Sequence, residues 1–264
     1  MTPEIHDVGA GRLCLEGRPW AIFRWIDAEL EAMAVRDGAS PIQVPALIDR
    51  EVLDRAGFFD AFGEMATRVA ANGGAREYVL SPALCYHAYA SLANRQLDAP
   101  IMLTTVGRCY RREAKPSPTR LWEFTMREVI FIGTADWVAD ERARWLRRVS
   151  RFAQRIGLTS RVELATDPFF VAAARGKKLI QQLKELKYEL QMRINTDEAE
   201  VAVASMNLHE TFFGSRFGLT LPDGSPAWSA CVAFGLERWT LAMIAQLGVE
   251  RATEIVATCS TTNT

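Results

Sequence analysis

The chain has 264 residues, 49% of them hydrophobic, and a formal net charge of −1 at pH 7. That length and apolar share can bury a full core as one large domain or two small ones. There is no basic surplus for a broad phosphate-backbone surface, no uninterrupted apolar run long enough for a membrane span, and no basic-then-apolar leader, so a cytoplasmic protein without a membrane partner is expected. The five cysteines, Cys14, Cys85, Cys109, Cys231 and Cys259, form no CxxC pair, and their odd count argues against a disulfide framework.

Residues 1–18 are Gly-rich and read as irregular. From Pro19 to Gly38 apolar residues recur at helical spacing, with Pro at the start and Gly at the exit. PIQVPALI reads as a strand broken by Pro45, which suits a sheet edge or an interface. DREVLDRAGFFDAF reads as a helix and turn. In EYVLSPALCYHAYASLANRQL a short strand meets a turn at Ser81-Pro82, and a helix follows from about Ala83. Cys85 sits near the start of that helix, where the backbone N–H groups and the dipole favour a thiolate.

Residues 107–133, GRCYRREAKPSPTRLWEFTMREVIFIG, read as a long antiparallel hairpin, two apolar-rich runs around a Lys-Pro-Ser-Pro-Thr turn. Period-two alternation puts Cys109, Arg111 and Glu113 on one face of the first strand and Phe124, Met126 and Glu128 on one face of the second. Arg120 lies at the start of the return. A guanidinium for phosphate, a ring for a base and a carboxylate for a base amino group together suit a nucleoside triphosphate. A surface hairpin with solvated ion pairs is the alternative.

Further along, TADWVADERARWLRRVSRFAQRIGL is an amphipathic helix and VELATDPFF a strand and turn. RGKKLIQQLKELKYELQMRI begins as a basic helix and runs into a strand. Its Lys177, Lys178, Lys184 and Lys187 form either a solvated face or a docking surface for an acidic partner. VAVAS is a buried strand, with Asn207, His209 and Gly214 as punctuation after it. Asp223-Gly224 signals a hairpin turn. In SACVAFGLERW, small residues surround Cys231, Gly235 permits close approach of a ligand, and Arg238 starts a helix. The tail ATCSTTNT is polar and reads as frayed.

Taken together, Arg111-x-Glu113 with Arg120, Phe124 and Glu128 resembles motif 2 of the class II aminoacyl-tRNA synthetases. Ala233-Phe-Gly-Leu-Glu-Arg238 resembles their motif 3, and Pro45 with its preceding amphipathic stretch resembles motif 1. The three occur in the family's order over roughly residues 20–245. The resemblance implies an α+β fold, an antiparallel sheet flanked by helices, as one catalytic domain over 1–264 with a helical acceptor-docking insertion around 167–187. It also implies a homodimer through the motif 1 region.

Within that family the Ser81-Pro-Ala-Leu-Cys85 loop lacks the Thr-x-Glu of common seryl-tRNA synthetases. It resembles the zinc-dependent archaeal seryl enzymes and, more closely, the short bacterial amino acid:[carrier protein] ligases. By that resemblance Cys85, Glu128 and Cys231 hold one Zn2+ per chain; Cys109 and His87 are rival donors. Arg111, Glu113, Arg120, Leu121, Phe124 and Arg238 bind ATP, which comes with Mg2+. Glu200, or Ala202 through its backbone, contacts nucleotide as well. Glu128, Ser205 and Asn207 face the amino acid, and Arg111 and Arg238 are the catalytic pair. His209 is either a general base or a hydrogen-bonded structural histidine. The chain shows no heptad arm and no tRNA module. The implied reaction is activation of a small amino acid, glycine or alanine, and its transfer to the phosphopantetheine thiol of an acidic carrier protein, with no tRNA partner. The competing readings are a truncated seryl-tRNA synthetase-like enzyme and a non-catalytic synthetase paralogue.

Overall fold

The computed structural model describes residues 3–70, 76–112, 117–165, 186–194 and 200–261. The first elements are a two-stranded hairpin, β1 (Ile5–Asp7) with β2 (Leu13–Leu15), then helix α1 (Gly17–Arg36). The hairpin corrects the expectation of an irregular N-terminus. Its turn holds Gly9, Ala10 and Gly11 at positive φ, a conformation the two glycines reach without steric cost. Next come β3 (Ser40–Pro41) and β4 (Leu47–Asp49). Pro45 separates them, and they join different sheets. β3 lies at the edge of the main sheet, where proline's missing N–H costs little.

Short helices α2 (Arg50–Arg55) and α3 (Phe58–Phe62) lead through a 3-10 turn (Gly63–Met65) to β5 (Arg68–Val69) and β6 (Tyr78–Leu80), which pairs with β4 and β5. Helix α4 (Cys85–Ser91) follows. The expected hairpin is β7 (Ile101–Tyr110) with β8 (Glu123–Gly133), antiparallel over ten pairs from Ile101↔Ile132 to Tyr110↔Glu123. Cys109 stands opposite Phe124 and Gly107 opposite Met126, so Cys109, Phe124, Met126 and Glu128 share a face as predicted, while Arg111 lies just past the end of β7.

Helix α5 (Ala135–Arg155) buries Val138, Trp145, Val149 and Phe152, a stripe at helical spacing. The remaining elements are β9 (Arg161–Leu164), β10 (Lys187–Met192), β11 (Val201–Glu210), α6 (Phe212–Phe217), β12 (Trp228–Gly235), α7 (Leu236–Leu247) and α8 (Val249–Thr261). Two expectations change here. Asn207 and His209 lie inside β11 rather than after it, because pairing with β12 continues to Glu210↔Ser229 through a bulge. The tail is helical to Thr261, because Ala252, Ile255, Val256 and Cys259 pack on the core at i, i+3, i+4, i+7 spacing. The basic run with Lys177, Lys178 and Lys184 lies outside the described residues.

The main sheet runs β3-β7-β8-β12-β11-β10-β9, antiparallel throughout except between β3 and β7. One face packs on α1, α5, α7 and α8 around Trp145, Trp239, Phe131 and Phe234. The other packs on α4 and α6 around Tyr86, Tyr89, Phe213 and Phe217. Gly214 of α6 has no room for a side chain, since a Cβ there would lie 2.0 Å from the Ala227 carbonyl oxygen. On the α1 face Arg127 is fully buried. Its Nε donates to Asp27 Oδ1 (2.5 Å), its Nη1 to Thr104 Oγ1 (3.2 Å), and its Nη2 lies 3.6 Å from Glu31. No described helix is long and apolar enough to cross a membrane.

Candidate active site

The α4 face of the sheet carries a cavity of about 470 Å³. Strand pairing builds its floor. Glu128 of β8 stands opposite Ala233 of β12, Ala233 opposite Ser205 of β11, and Ser205 opposite Glu189 of β10. One row away Cys231 stands opposite Asn207, and Asn207 opposite Lys187. Alternation turns all of these side chains to the same face.

Cys85, Glu128 and Cys231 meet at one end of the cavity. Their ligating atoms all lie within 4.8 Å of one another, and all three residues are buried. Glu128 Oε2 accepts the backbone N–H groups of Leu84 (2.8 Å) and Cys85 (2.6 Å), which fixes the head of α4 against β8. Gly107 permits this approach, because a Cβ there would come within 3.2 Å of Leu84 Cδ2. Burial raises the Glu128 pKa, against the lowering pull of the Cys85 N–H. The Cys85 thiol is pushed well up, first by its hydrogen bond with Cys231, then by burial and the charge of Glu128. The helix start therefore does not by itself make Cys85 a thiolate, which corrects the dipole argument: the hydrogen bond with Cys231 and burial, with the nearby Glu128 charge, outweigh it. A divalent cation at this point would reverse the balance, since a coordinating thiol is deprotonated outright. Two sulfurs and one carboxylate are a donor set that fits zinc.

The rival donors stand apart. Among the described residues this is the one such cluster, and Cys109 and His87 are not in it. Cys109 is buried beside Met126, its Sγ 4.0 Å from Sδ, with its thiol pushed up by burial. His87 Nε2 lies 3.1 Å from Ser81 Oγ, and burial lowers its pKa to about 4. His209 lies beside the cluster. Its Nε2 is 3.7 Å from Cys231 Sγ, while its Nδ1 lies 3.1 Å from the Tyr89 hydroxyl and 3.2 Å from the Ser229 hydroxyl. Burial lowers its pKa to about 3, and it does not line the cavity, so the geometry supports the structural alternative for His209 over the general base.

The other end of the cavity is basic and aromatic. Arg111 Nε donates to Pro82 O (2.9 Å), and its guanidinium carbon lies 5.4 Å from the Phe124 ring centroid. Arg238, in the first turn of α7, donates from Nε to Thr119 O (2.8 Å) and from Nη1 to Ala202 O (2.7 Å). Both arginines are thus held by backbone carbonyls. Arg120, Leu121, Glu200, Ala202, Ser205 and Asn207 also line the cavity, and Glu200 Oε2 accepts from Arg161 Nε at 3.1 Å. Glu113 lies outside the described residues. Gly235 lines the cavity too, but at φ −88 and with nothing within 3.8 Å of a would-be Cβ, so the chain itself does not require glycine there.

Several lining residues escape sequence reading. Lys187, Glu189 and Gln191 form a polar wall on β10. Lys187 Nζ pairs with Glu189 Oε1 at 2.8 Å, and Gln191 Nε2 donates to Glu189 Oε2 at 2.9 Å. Lys187 therefore belongs to the cavity and not to a docking face, because pairing with β11 turns it inward. Alternation along KYELQM was the available signal. Phe58, Phe62 and Met65 close the cavity from α3 and the 3-10 turn. Glu237 is buried, accepting Thr125 N (2.9 and 2.8 Å) and Thr125 Oγ1 (2.9 Å), and burial raises its pKa.

The chain has well-defined relatives. It is 36% identical over 204 residues to amino acid–[acyl-carrier-protein] ligase 1 of Bradyrhizobium diazoefficiens, covering 76% of this chain and 61% of that protein. It is 35% identical over 201 residues to ligase 2 of the same organism, covering 74% and 58%. The chain thus spans about three-fifths of the length of these two relatives. The type-2 serine–tRNA ligase of Methanocaldococcus jannaschii is 29% identical over 180 residues, covering 65% of this chain and 34% of that protein. Among solved structures, M. kandleri SerRS in complex with A. aeolicus tRNASec superposes with a TM-score of 0.80 at 21% identity, covering 95% of this chain and 58% of that one. Residues 68–247 match the tRNA synthetase class II core domain (G, H, P, S and T). That span holds the β7–β8 hairpin, both cysteines of the cluster and all of α7, and the chain belongs to this class II synthetase core family.

Proposed function

We propose that the protein is an amino acid:[carrier protein] ligase, which activates a small amino acid, glycine or alanine, with ATP and passes it to the phosphopantetheine thiol of an acidic carrier protein. The observation that carries this reading is the Cys85–Glu128–Cys231 cluster opening into the same cavity as Arg111, Phe124 and Arg238. The similarity to the Bradyrhizobium ligases supports it. The small residues Ala233 and Ser205 on the floor beside the cluster suit a small substrate.

Cys85, Glu128 and Cys231 would hold one Zn2+. When bound, that ion supplies the positive charge that keeps both thiols deprotonated and a free coordination position for the substrate amino group. Arg111 and Arg238, fixed by Pro82, Thr119 and Ala202 carbonyls, orient the phosphates of ATP and its Mg2+. Phe124 stacks on the adenine, and Glu113 accepts from its amino group. The amino acid carboxylate attacks the α-phosphorus, the bond to the β-phosphate oxygen breaks, and pyrophosphate leaves with that electron pair. The two guanidiniums stabilise charge developing on the phosphoryl oxygens, so the chain contributes positioning and electrostatics. The carrier thiol then gives its proton to solvent, its sulfur attacks the adenylate carbonyl carbon, the bond from that carbon to the phosphate oxygen breaks, and AMP leaves with the electron pair. Pairing of two chains through the α1–β4 region makes the working unit a homodimer.

Amino-acid-dependent exchange of pyrophosphate into ATP, run over all twenty amino acids, tests the first half-reaction. Exchange with glycine or alanine supports the proposal; no exchange with any amino acid sinks it. Offering the adenylate to a phosphopantetheinylated carrier and to tRNA tests the second. Charging of tRNA alone would favour a seryl-tRNA ligase reading, to which the Methanocaldococcus relative also points.

A further inference from the structure

His209 is buried beside Cys231, with hydroxyls on its other nitrogen. It is 4% exposed, with its ring edge-on to Phe213 at 4.9 Å and 76°. One nitrogen faces two hydroxyls, those of Tyr89 and Ser229; the other faces Cys231 Sγ. Asn207 Nδ2 approaches the same sulfur at 3.6 Å. A neutral imidazole has a single N–H. Either hydroxyl can donate to the lone pair of Nδ1, whereas a metal-bound thiolate can only accept. Where a bound metal makes that sulfur a thiolate, the matching tautomer has Nδ1 accepting and Nε2–H pointing at the sulfur. The opposite tautomer would set a lone pair against a buried thiolate. Burial makes such a mismatch costly.

We propose that His209 is a positioning residue for Cys231: Tyr89 and Ser229 engage its Nδ1, its Nε2 and the Asn207 amide are set against the Cys231 sulfur, and these contacts set how tightly a divalent metal is held there. This rests on the metal reading above. Outer hydrogen bonds of this kind typically change metal affinity by 10–100-fold. A histidine that merely filled space between Tyr89 and Phe213 would leave the sulfur indifferent to its replacement by another ring.

The test uses the full chain loaded with Co2+, whose thiolate charge-transfer band reports the electron density on sulfur, and a chelator titration for affinity. Three variants are compared with wild type: His209→Phe, His209→Gln and Tyr89→Phe. His209→Phe is expected to weaken Co2+ binding on the order of 10–100-fold and to move the band to lower energy. His209→Gln, whose amide N–H can reach the sulfur, is expected to recover most of both. Tyr89→Phe removes one hydroxyl that fixes the tautomer and is expected to move both in the same direction, by less. A folded His209→Phe protein with unchanged affinity and an unshifted band overturns the proposal. Should that variant not fold, Tyr89→Phe combined with Ser229→Ala, which removes both hydroxyls facing Nδ1, is read in its place, and wild-type behaviour there overturns it equally. Wild-type protein that takes up neither Co2+ nor Zn2+ overturns the metal reading, and this proposal with it.

Discussion

Glu128 Oε2 and the backbone nitrogen of Cys85 lie 2.6 Å apart across 43 residues of sequence. The same carboxylate receives the neighbouring N–H of Leu84. On the proposed zinc reading Glu128 has two tasks, anchoring α4 and supplying a donor to the Cys85–Cys231 pair, and they can be separated experimentally. Glu128→Gln keeps an oxygen acceptor for both N–H groups but loses the charge, so it is expected to fold and lose zinc. Glu128→Ala orphans two buried N–H groups and is expected to lose stability as well, by about 1–3 kcal/mol for each group. Cys85→Ser and Cys231→Ser should each lose the roughly one zinc per chain expected of wild type, and Cys109→Ser should retain it. Metal analysis decides: full zinc in either serine variant of the pair, or loss in Cys109→Ser, gives a different ligand set.

Arg111→Ala and Arg238→Ala should each slow amino-acid-dependent pyrophosphate exchange by on the order of a hundredfold or more, as for removal of a preorganised charge donor. Zinc content should be unchanged, because neither residue belongs to the cluster. Near-normal exchange in both variants would return the β7–β8 hairpin to a solvated-surface role.

Glu237 gives a pH dependence with a defined sign. Burial raises its folded pKa above the ordinary 4.5. Above pH 4.5 the unfolded chain gives up this proton before the folded one does, so folding stability falls as pH rises through the window between the two values. Below that window the contribution is fully present. Glu237→Gln cannot titrate. Its stability cost relative to wild type should therefore be smaller at pH 7 than at pH 4.5. Urea unfolding at both pH values measures this, and a cost that grows toward pH 7 would show that the Thr125 hydrogen bonds and Arg108 outweigh burial.

Acceptor docking can be tested apart from chemistry. Reversal of Lys177 and Lys178 to Glu is expected to slow transfer to an acidic carrier protein, to reduce its salt dependence, and to leave pyrophosphate exchange unchanged. Unchanged transfer kinetics would move the docking surface elsewhere.

The hairpin and its face could be read from sequence, because period-two alternation is local: Cys109, Phe124, Met126 and Glu128 share a side whatever packs on them. The meeting of Cys85 with Cys231 could not. It depends on α4 folding across β8 and β12, and the spacing of the two cysteines carries no signal; only the family resemblance brought them together. Lys187, Glu189 and Gln191 were missed for a related reason. Which face of β10 meets the cavity is set by its register with β11, a non-local pairing that shifts at Leu190/Gln191. His209 was misplaced because a polar residue near a strand end looks like a turn, whereas the strand ends one residue later, at Glu210, held at φ 51.

Arg127 and Glu128 are consecutive and point to opposite faces of β8, Arg127 toward Asp27 and Glu31, Glu128 toward the two thiols. A slip of β8 by one residue would exchange them. The guanidinium would then replace the carboxylate beside the two thiols, and a carboxylate would be set against Asp27 and Glu31. Each error would strand charges in the interior, where unpaired charge is least tolerated. The buried arginine on the far side of the sheet thus penalises a one-residue slip and favours the register that sets a carboxylate beside Cys85 and Cys231.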